Sequence, residues 1–246
     1  MCCGAILTDS PVSRKPPRRY DHLPVTLAIP SNLRYERLSM PTNSEGSRFV
    51  RGAARLLFRM MGWTTEGTVH QLQRFVIIAA PHTSNWDAVI MVAAAYIFNV
   101  RISWFIKREA FFFPLGTIIR AVGGIPIDRG ASRNVVAQAV EQFQQSERLI
   151  LAVPPEGTRG KADGWKTGFY HIAHGAGVPI VLGYLDYRRK VAGLGPAFVP
   201  TGDIEADFRV FDEFYAEVTP KFPEHRGPVV PTRVPPQRQR QAGRRA

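Results

Sequence analysis

The sequence is poor in cysteine: among 246 residues only Cys2 and Cys3 occur, adjacent and at one end. That excludes a disulfide scaffold and a cysteine zinc site, both of which need thiols spaced along the chain. A long hydrophobic run is also lacking. The longest candidate, residues 88–100, has 13 residues and closes at Arg101, short of the roughly 18 that a membrane span requires, so a channel or transporter is excluded. The chain opens without the basic, apolar and small-residue succession of a secretory leader, which places the protein in the cytoplasm as an expectation. Acidic side chains are the scarcer charge, 20 against 32 basic ones, for a net charge of +12.

That excess is unevenly spread. Residues 1–47 carry 6 basic and 4 acidic side chains, 48–224 carry 20 and 16, and 225–246 carry 6 and none. Half of the surplus therefore sits in the last 22 residues, where prolines and Arg-Gln alternation leave too little apolar surface to offset the entropy of ordering. A disordered basic tail over 225–246 is expected, and charge alone suits nucleic acid and anionic lipid equally. Residues 1–47, with Pro11, Pro16, Pro17, Pro24, Pro30 and Pro41, are expected to be poorly ordered too. The remaining 48–224 is the right size for one domain.

That domain opens on a helical pattern over 48–62. Phe49, Val50, Ala53, Leu56, Leu57, Met60 and Met61 recur at helical spacing, and Arg48, Arg51, Arg55 and Arg59 form a basic stripe beside them. An amphipathic helix of this kind suits an anionic membrane interface, and a domain helix with a solvated charged face fits the pattern as well. Beyond it, apolar strand-like runs (75–80, 102–106, 124–127, 149–153, 179–185) alternate with helical patterns (86–98, 134–145, 166–174, 203–217). The expected class is α/β, a single domain with a mixed sheet flanked by helices.

Polar residues able to do chemistry concentrate at three strand-to-loop junctions, where ligands bind in open α/β sheets. In the first, Pro81-His82-Thr83-Ser84-Asn85-Trp86-Asp87, Ser84 is the expected N-cap and Asp87 the third helical residue of a capping box. His82 then lies outside the helix, where Asp87 can hold one ring nitrogen and leave the other to take a proton. Histidine suits that task because its unperturbed pKa is about 6.5. Asp87 acting only as a cap, with His82 only packed, is the plainer alternative. The second junction ends on Asp128-Arg129-Gly130 and the third is Pro154-Pro155-Glu156-Gly157-Thr158-Arg159-Gly160. An arginine beside an acid and a glycine is what a phosphate-binding loop needs, although each could also be a surface ion pair.

Other patterns are weaker. His171 and His174 stand three apart on a helix and could share a metal, but no third ligand accompanies them, so no metal site is expected. Trp165, Lys166, Tyr170, Tyr184 and Tyr187 could contact bases, yet no nucleic-acid recognition module frames them and core packing is the expectation.

Taken in order, these blocks resemble the lysophospholipid and glycerol-3-phosphate acyltransferase family over Phe75 to Leu185. The Asn-His-x4-Asp motif falls on His82 and Asp87 with Pro81 for Asn; Gly-x-Ile-Phe-Ile-Asp-Arg falls on Gly123 to Arg129 with Pro126 for Phe. Phe-Pro-Glu-Gly-Thr-Arg ends on Pro155 to Arg159 with Pro154 for Phe, and Val-Pro-Ile-Val matches Val178 to Val181. The resemblance implies a glycerolphosphate-acyltransferase-like fold and direct acyl transfer from acyl-CoA or acyl carrier protein to a lysophospholipid hydroxyl, with no cofactor, while the amphipathic helix and the Arg-rich tail point to peripheral attachment at the inner membrane. It implies that His82 is the base, Asp87 its orienting acid, Arg129 and Arg159 the phosphate ligands, and Glu156 the contact to the polyol, with Gly157 and Thr158 shaping the loop. Lys107 to Gly116, with Phe111, Phe112 and Phe113, resembles the family's block between the first two motifs, and lining the acyl channel and core packing account for those phenylalanines about equally well. Two readings compete, acyl transfer to a different lipid acceptor and a non-catalytic basic binder of membrane or nucleic acid; retention of His82, Asp87, Glu156 and Arg159 argues against the second, and no nucleic-acid partner is expected.

Overall fold

Two strands are buried on both faces. In a computed structural model describing residues 45–67, 72–121, 123–128 and 132–232, β2 (Arg74–Ala80) and β6 (Ile180–Asp186) run side by side in parallel, with Val76 beside Ile180 and Ala80 beside Tyr184. Strands covered on both faces read as continuous apolar runs rather than alternations, which is why both are plain in the sequence. Around them lie β1 (Thr64–Gly67), β5 (Leu149–Val153) and β7 (Val191–Phe198), in the order β1-β7-β6-β2-β5. Only β6 and β7 pair antiparallel, so the sheet is mixed. A short parallel pair, β3 (Trp104–Lys107) and β4 (Gly124–Ile127), continues it past β5. The join is at Ser103, whose N–H donates to Ile150 O and whose carbonyl accepts from Ala152 N.

Among the described residues six α-helices cover the two faces: α1 (Glu45–Met61), α2 (Asn85–Phe98), α3 (Leu115–Ala121), α4 (Ser132–Gln145), α5 (Gly168–Ala176) and α6 (Ile204–Tyr215). Alternation along β2 divides the core, because successive side chains point to opposite faces. Val76 and Ile78 pack with Phe143 of α4, Phe169 of α5 and Phe211 of α6, whereas Phe75 and Ile77 join Met91 and Ala95 of α2. Each fully buried side chain of this kind contributes about 1.5–3 kcal/mol relative to exposure. The expected α/β class, with a mixed sheet flanked by helices, is the architecture found.

The differences are instructive. Strands β1 and β7 are additional to the expected ones. Gly193, Gly195 and Pro196 disguise β7 as a turn, and Thr64–Gly67 is a four-residue edge strand with little apolar content. The α3 helix lies partly within the block expected to line an acyl channel. Chain expected to belong to the free tail is packed as far as Thr232: Val229 is buried, and Trp165 accepts from and donates to the segment through Thr232 N and Val230 O. Arg226 explains why, since its guanidinium donates to Tyr215 O and Val218 O at the end of α6, satisfying carbonyls that a helix end leaves open. Residues 233–246, like 1–44 with Cys2 and Cys3, lie outside the described residues.

Helix α1 also departs from its expected stripe. Ala54 and Phe58, one turn apart, are buried against α2, which turns Arg51 inward to donate to the Asn99 side chain at the α2 C-cap. Arg48, Arg55 and Arg59 remain exposed. The third side carries Phe49 at 80% exposure, Leu56 at 59% and Met60 at 77%.

Candidate active site

The first loop after β2 is built around one carboxylate. Ser84 caps α2 in extended backbone, and the capping box with Asp87 is formed as the sequence suggests. Asp87 Oδ2 accepts from Thr83 N and Ser84 N, both at 2.8 Å, and lies 3.2 Å from His82 Nδ1. Capping the helix and orienting the imidazole, alternatives in the sequence, are thus done by the same oxygen. This contact assigns the proton to Nδ1 and leaves Nε2 with its lone pair. Burial by itself raises the Asp87 pKa, but the hydrogen bonds from His82, Tyr187, Ser84 and Thr83 outweigh it and hold the carboxyl below its ordinary value. It is therefore ionised wherever histidine titrates.

The third junction meets the first. Glu156 Oε1 accepts from His82 N at 3.1 Å, tying the base's backbone to the loop after β5. Its other oxygen is buried without a partner among the described residues. Burial accordingly pushes the Glu156 carboxyl up, against smaller lowering from its own and the His82 backbone N–H groups and the His82 charge. Arg159 is exposed and donates to the side chain of Asn85, the first residue of α2. Gly157, at φ +65°, lies under Lys166: a Cβ there would stand 2.6 Å from Lys166 Nζ. Glycine is favoured by that left-handed backbone, whereas the exposed Lys166 side chain could swing aside. Thr158 Oγ1 accepts from Gly160 N and shapes the turn.

These groups share a cavity of about 2020 Å³, with His82, Asp87, Gly157, Thr158, Arg159 and Lys166 in its polar part. Its apolar wall includes Ala88, Met91, Val92 and Ala95, residues at helical spacing along one face of α2. Phe111, Phe112 and Phe113 are not in that wall. Phe113 is 89% exposed and Phe112 60%, so the expectation that this block lines an acyl channel is corrected: α2 and β3 supply the apolar surface instead. Arg129 lies outside the described residues, and its neighbour Asp128 is exposed after β4.

Of the weaker candidates, Trp165, Tyr170 and Tyr184 are buried in the core. The Tyr170 phenol donates to Asp207 at 2.7 Å and is pushed up to about 12 by burial and by that bond. His174 stacks on Tyr170, while His171 borders the cavity. Sequence reasoning missed three participants. Asn85 adjoins the cap and could have been noticed; Lys166 follows the third loop at a distance only the fold interprets. Tyr187, weighed above as a base-stacking aromatic, donates its hydroxyl to Asp87 Oδ1 at 2.6 Å.

Comparison with known proteins bears on the family and the fold. A family model described as Acyltransferase matches residues 64–182. The chain is 29% identical over 135 residues to the 1-acyl-sn-glycerol-3-phosphate acyltransferase of Haemophilus influenzae, covering 51% of this chain and 55% of that one. It is 33% identical over 112 residues to the enzyme of the same name from Salmonella typhimurium, 43% of this chain and 44% of that one. The chain therefore spans about half the length of the curated relatives it matches. The crystal structure of the 1-acyl-sn-glycerophosphate (LPA) acyltransferase PlsC from Thermotoga maritima superposes with a TM-score of 0.50 at 17% identity, over 71% of this chain and 81% of that one, a likeness of fold. The region that matches the Acyltransferase family model, residues 64–182, is just under half of this chain and contains His82, Asp87, Glu156 and Arg159.

Proposed function

We propose that the protein transfers a fatty acyl group from an acyl thioester, acyl-CoA or acyl carrier protein, to the hydroxyl of a lysophospholipid such as 1-acyl-glycerol-3-phosphate. The observation that carries this is the placement of a carboxylate-held imidazole in the same cavity as a long apolar wall and two cations, Arg159 and Lys166. The cavity exceeds the roughly 300–1,000 Å³ of a single small-ligand site, which suits two substrates. His82 Nε2 takes the proton of the acceptor hydroxyl as its oxygen bonds to the thioester carbonyl carbon. The Asp87 charge stabilises the imidazolium so formed. The tetrahedral intermediate then expels the thiolate, which recovers that proton from His82, so the enzyme ends as it began. Arg159 and Lys166 hold the acceptor phosphate, and Glu156, buried behind the cavity wall, is proposed as the polyol contact on the motif resemblance alone. Arg129 is proposed as a third phosphate ligand on the motif resemblance alone.

The membrane is the source of the acceptor in this reading. No helix among the described residues is long and apolar enough to cross a bilayer, and attachment is peripheral. The outward apolar side of α1 supports this, as does an aromatic group beside the His82 loop: Lys221 Nζ stands 5.5 Å from the ring of half-exposed Trp86 and 5.6 Å from that of Phe222. Amphipathic aromatics with a cation suit the headgroup layer. The decisive assay supplies labelled acyl thioester and a panel of phosphate-bearing and neutral lyso-lipids. The phosphate-bearing acceptor should be preferred, and Arg159→Ala should raise its KM about tenfold, the low end for a charge-assisted bond because Arg159 is exposed. Preference for a neutral lyso-lipid would overturn the phosphate assignment.

A further inference from the structure

We propose that Tyr187 is a positioning residue for this reaction, acting through Asp87: its hydroxyl fixes the carboxylate and limits how tightly the carboxylate holds the His82 proton. The inference rests on the acyl-transfer role of His82. Asp87 receives Thr83 N, Ser84 N and His82 Nδ1 on Oδ2, and among the described residues Tyr187 supplies Oδ1, at 2.6 Å. The two oxygens thus have different partners, and the carboxylate plane is set from both ends.

Tyr187 is itself held in place. It follows β6, donates its backbone N–H to Thr219 O at 2.8 Å, and packs its ring edge-on to Trp63, 5.0 Å between centroids at 88°. Burial, the bond to Asp87 and the Asp87 charge all push its phenol up, so it stays a neutral donor wherever imidazole titrates. A neutral donor to a carboxylate stabilises the anion and lowers its pull on a neighbouring proton. With Tyr187 present, the pair orients the base without making it so basic that it is protonated, and idle, at working pH.

The other ionisable groups are placed differently. Glu156 contacts His82 through the backbone N–H and Arg159 reaches Asn85, while Lys166 lies over Gly157 and Lys221 over Trp86. His171 borders the same cavity. None of these donates to Asp87 in the bonds described here, so removal of the phenol has a distinct signature.

The test is an NMR titration of the His82 ring in the full chain, beside steady-state kinetics. Tyr187→Phe keeps the ring and removes the hydroxyl. The His82 midpoint should rise by about half a pH unit, the acidic limb of kcat/KM should move with it, and kcat should fall several-fold with acceptor KM nearly constant. In the Asp87→Asn background the same substitution should shift His82 no further. An unmoved midpoint in Tyr187→Phe, or an equal shift without the Asp87 carboxylate, overturns the proposal. Should Tyr187→Phe fail to fold, a site-specific fluorinated tyrosine, a stronger donor, must lower the midpoint, and no movement there overturns it as well. A wild-type protein that shows the NMR coupling but no acyl transfer would defeat the acyl-transfer reading and leave the Tyr187–Asp87 coupling standing.

Discussion

His82 and Glu156 are neighbours with opposite demands. The imidazole is partly open to the cavity and kept in one tautomer by Asp87, so His82→Ala should lower acyl transfer at least ~10²-fold, the usual worth of a positioned general base. Its circular dichroism and melting temperature should stay close to wild type, and a folded variant within a few-fold of full activity would remove His82 from the mechanism. Asp87→Asn should be comparably severe, because it strips the counter-charge and half of the capping box together. Glu156 makes the contrary case. Its folded pKa is raised, chiefly by burial, so its contribution to stability is fully present below the unfolded value near 4.5 and is lost as pH rises through the folded one. Above the unfolded value, burial of this carboxyl with one oxygen unpaired among the described residues therefore weakens the fold. Glu156→Gln, which keeps an acceptor for His82 N, should melt higher than wild type at pH 7, and the gap should close below pH 4.5. A pH-independent gap, or a lower melting temperature at neutrality, would contradict this account.

Helix α1 shows how tertiary packing sorts a pattern that looks uniform in sequence. Its four arginines recur every three or four residues, yet Ala54 and Phe58 commit one side to α2 and take Arg51 with them. Three arginines and an outward apolar side remain for a bilayer. Each Lys or Arg near an anionic surface contributes about 1 kcal/mol, so changing Arg48, Arg55 and Arg59 together to Gln should weaken binding to anionic liposomes by up to ~10²-fold without altering thermal stability. Molar salt should imitate the substitution in part, since screening suppresses the charge but not the apolar contact. Arg51→Gln should do the reverse, lowering the melting temperature with little effect on liposome binding. Equal effects of Arg51 and Arg55 on vesicle co-sedimentation would show that the sorting is wrong. The same logic explains β7, whose glycines and proline conceal a strand that pairs with β6 and β1.

At the scale of the whole molecule, the segment after α6 closes the structure. Val229 fills the aromatic core around Trp165, Phe208 and Tyr215, and Arg226 holds the last carbonyls of α6. Val229→Ala should cost about 1–3 kcal/mol, from lost burial and an imperfectly collapsed void, and should be read as a fall in melting temperature. Arg226→Ala should add a comparable loss, the two falling short of additivity because they anchor one strap. Stability equal to wild type in both variants would mean that the segment lies on the domain without supporting it.

What the sequence determined by itself is the part written in contiguous residues: the buried strands, whose two-sided burial forces apolar runs; the helices with one apolar face; the Ser84–Asp87 cap; and the ordered motifs containing His82, Glu156 and Arg159. Local rules of this kind need no knowledge of where the chain returns. Tertiary structure alone decided that Glu156 grips the His82 backbone across 74 residues, that Lys166 overlies Gly157, and that Tyr187 completes Asp87 from 100 residues away. It also decided that α2, not the Phe111–Phe113 block, walls the cavity. Those contacts join the ends of different strands, and their partners are chosen by sheet order and helix packing, quantities that the spacing of residues along one segment does not encode.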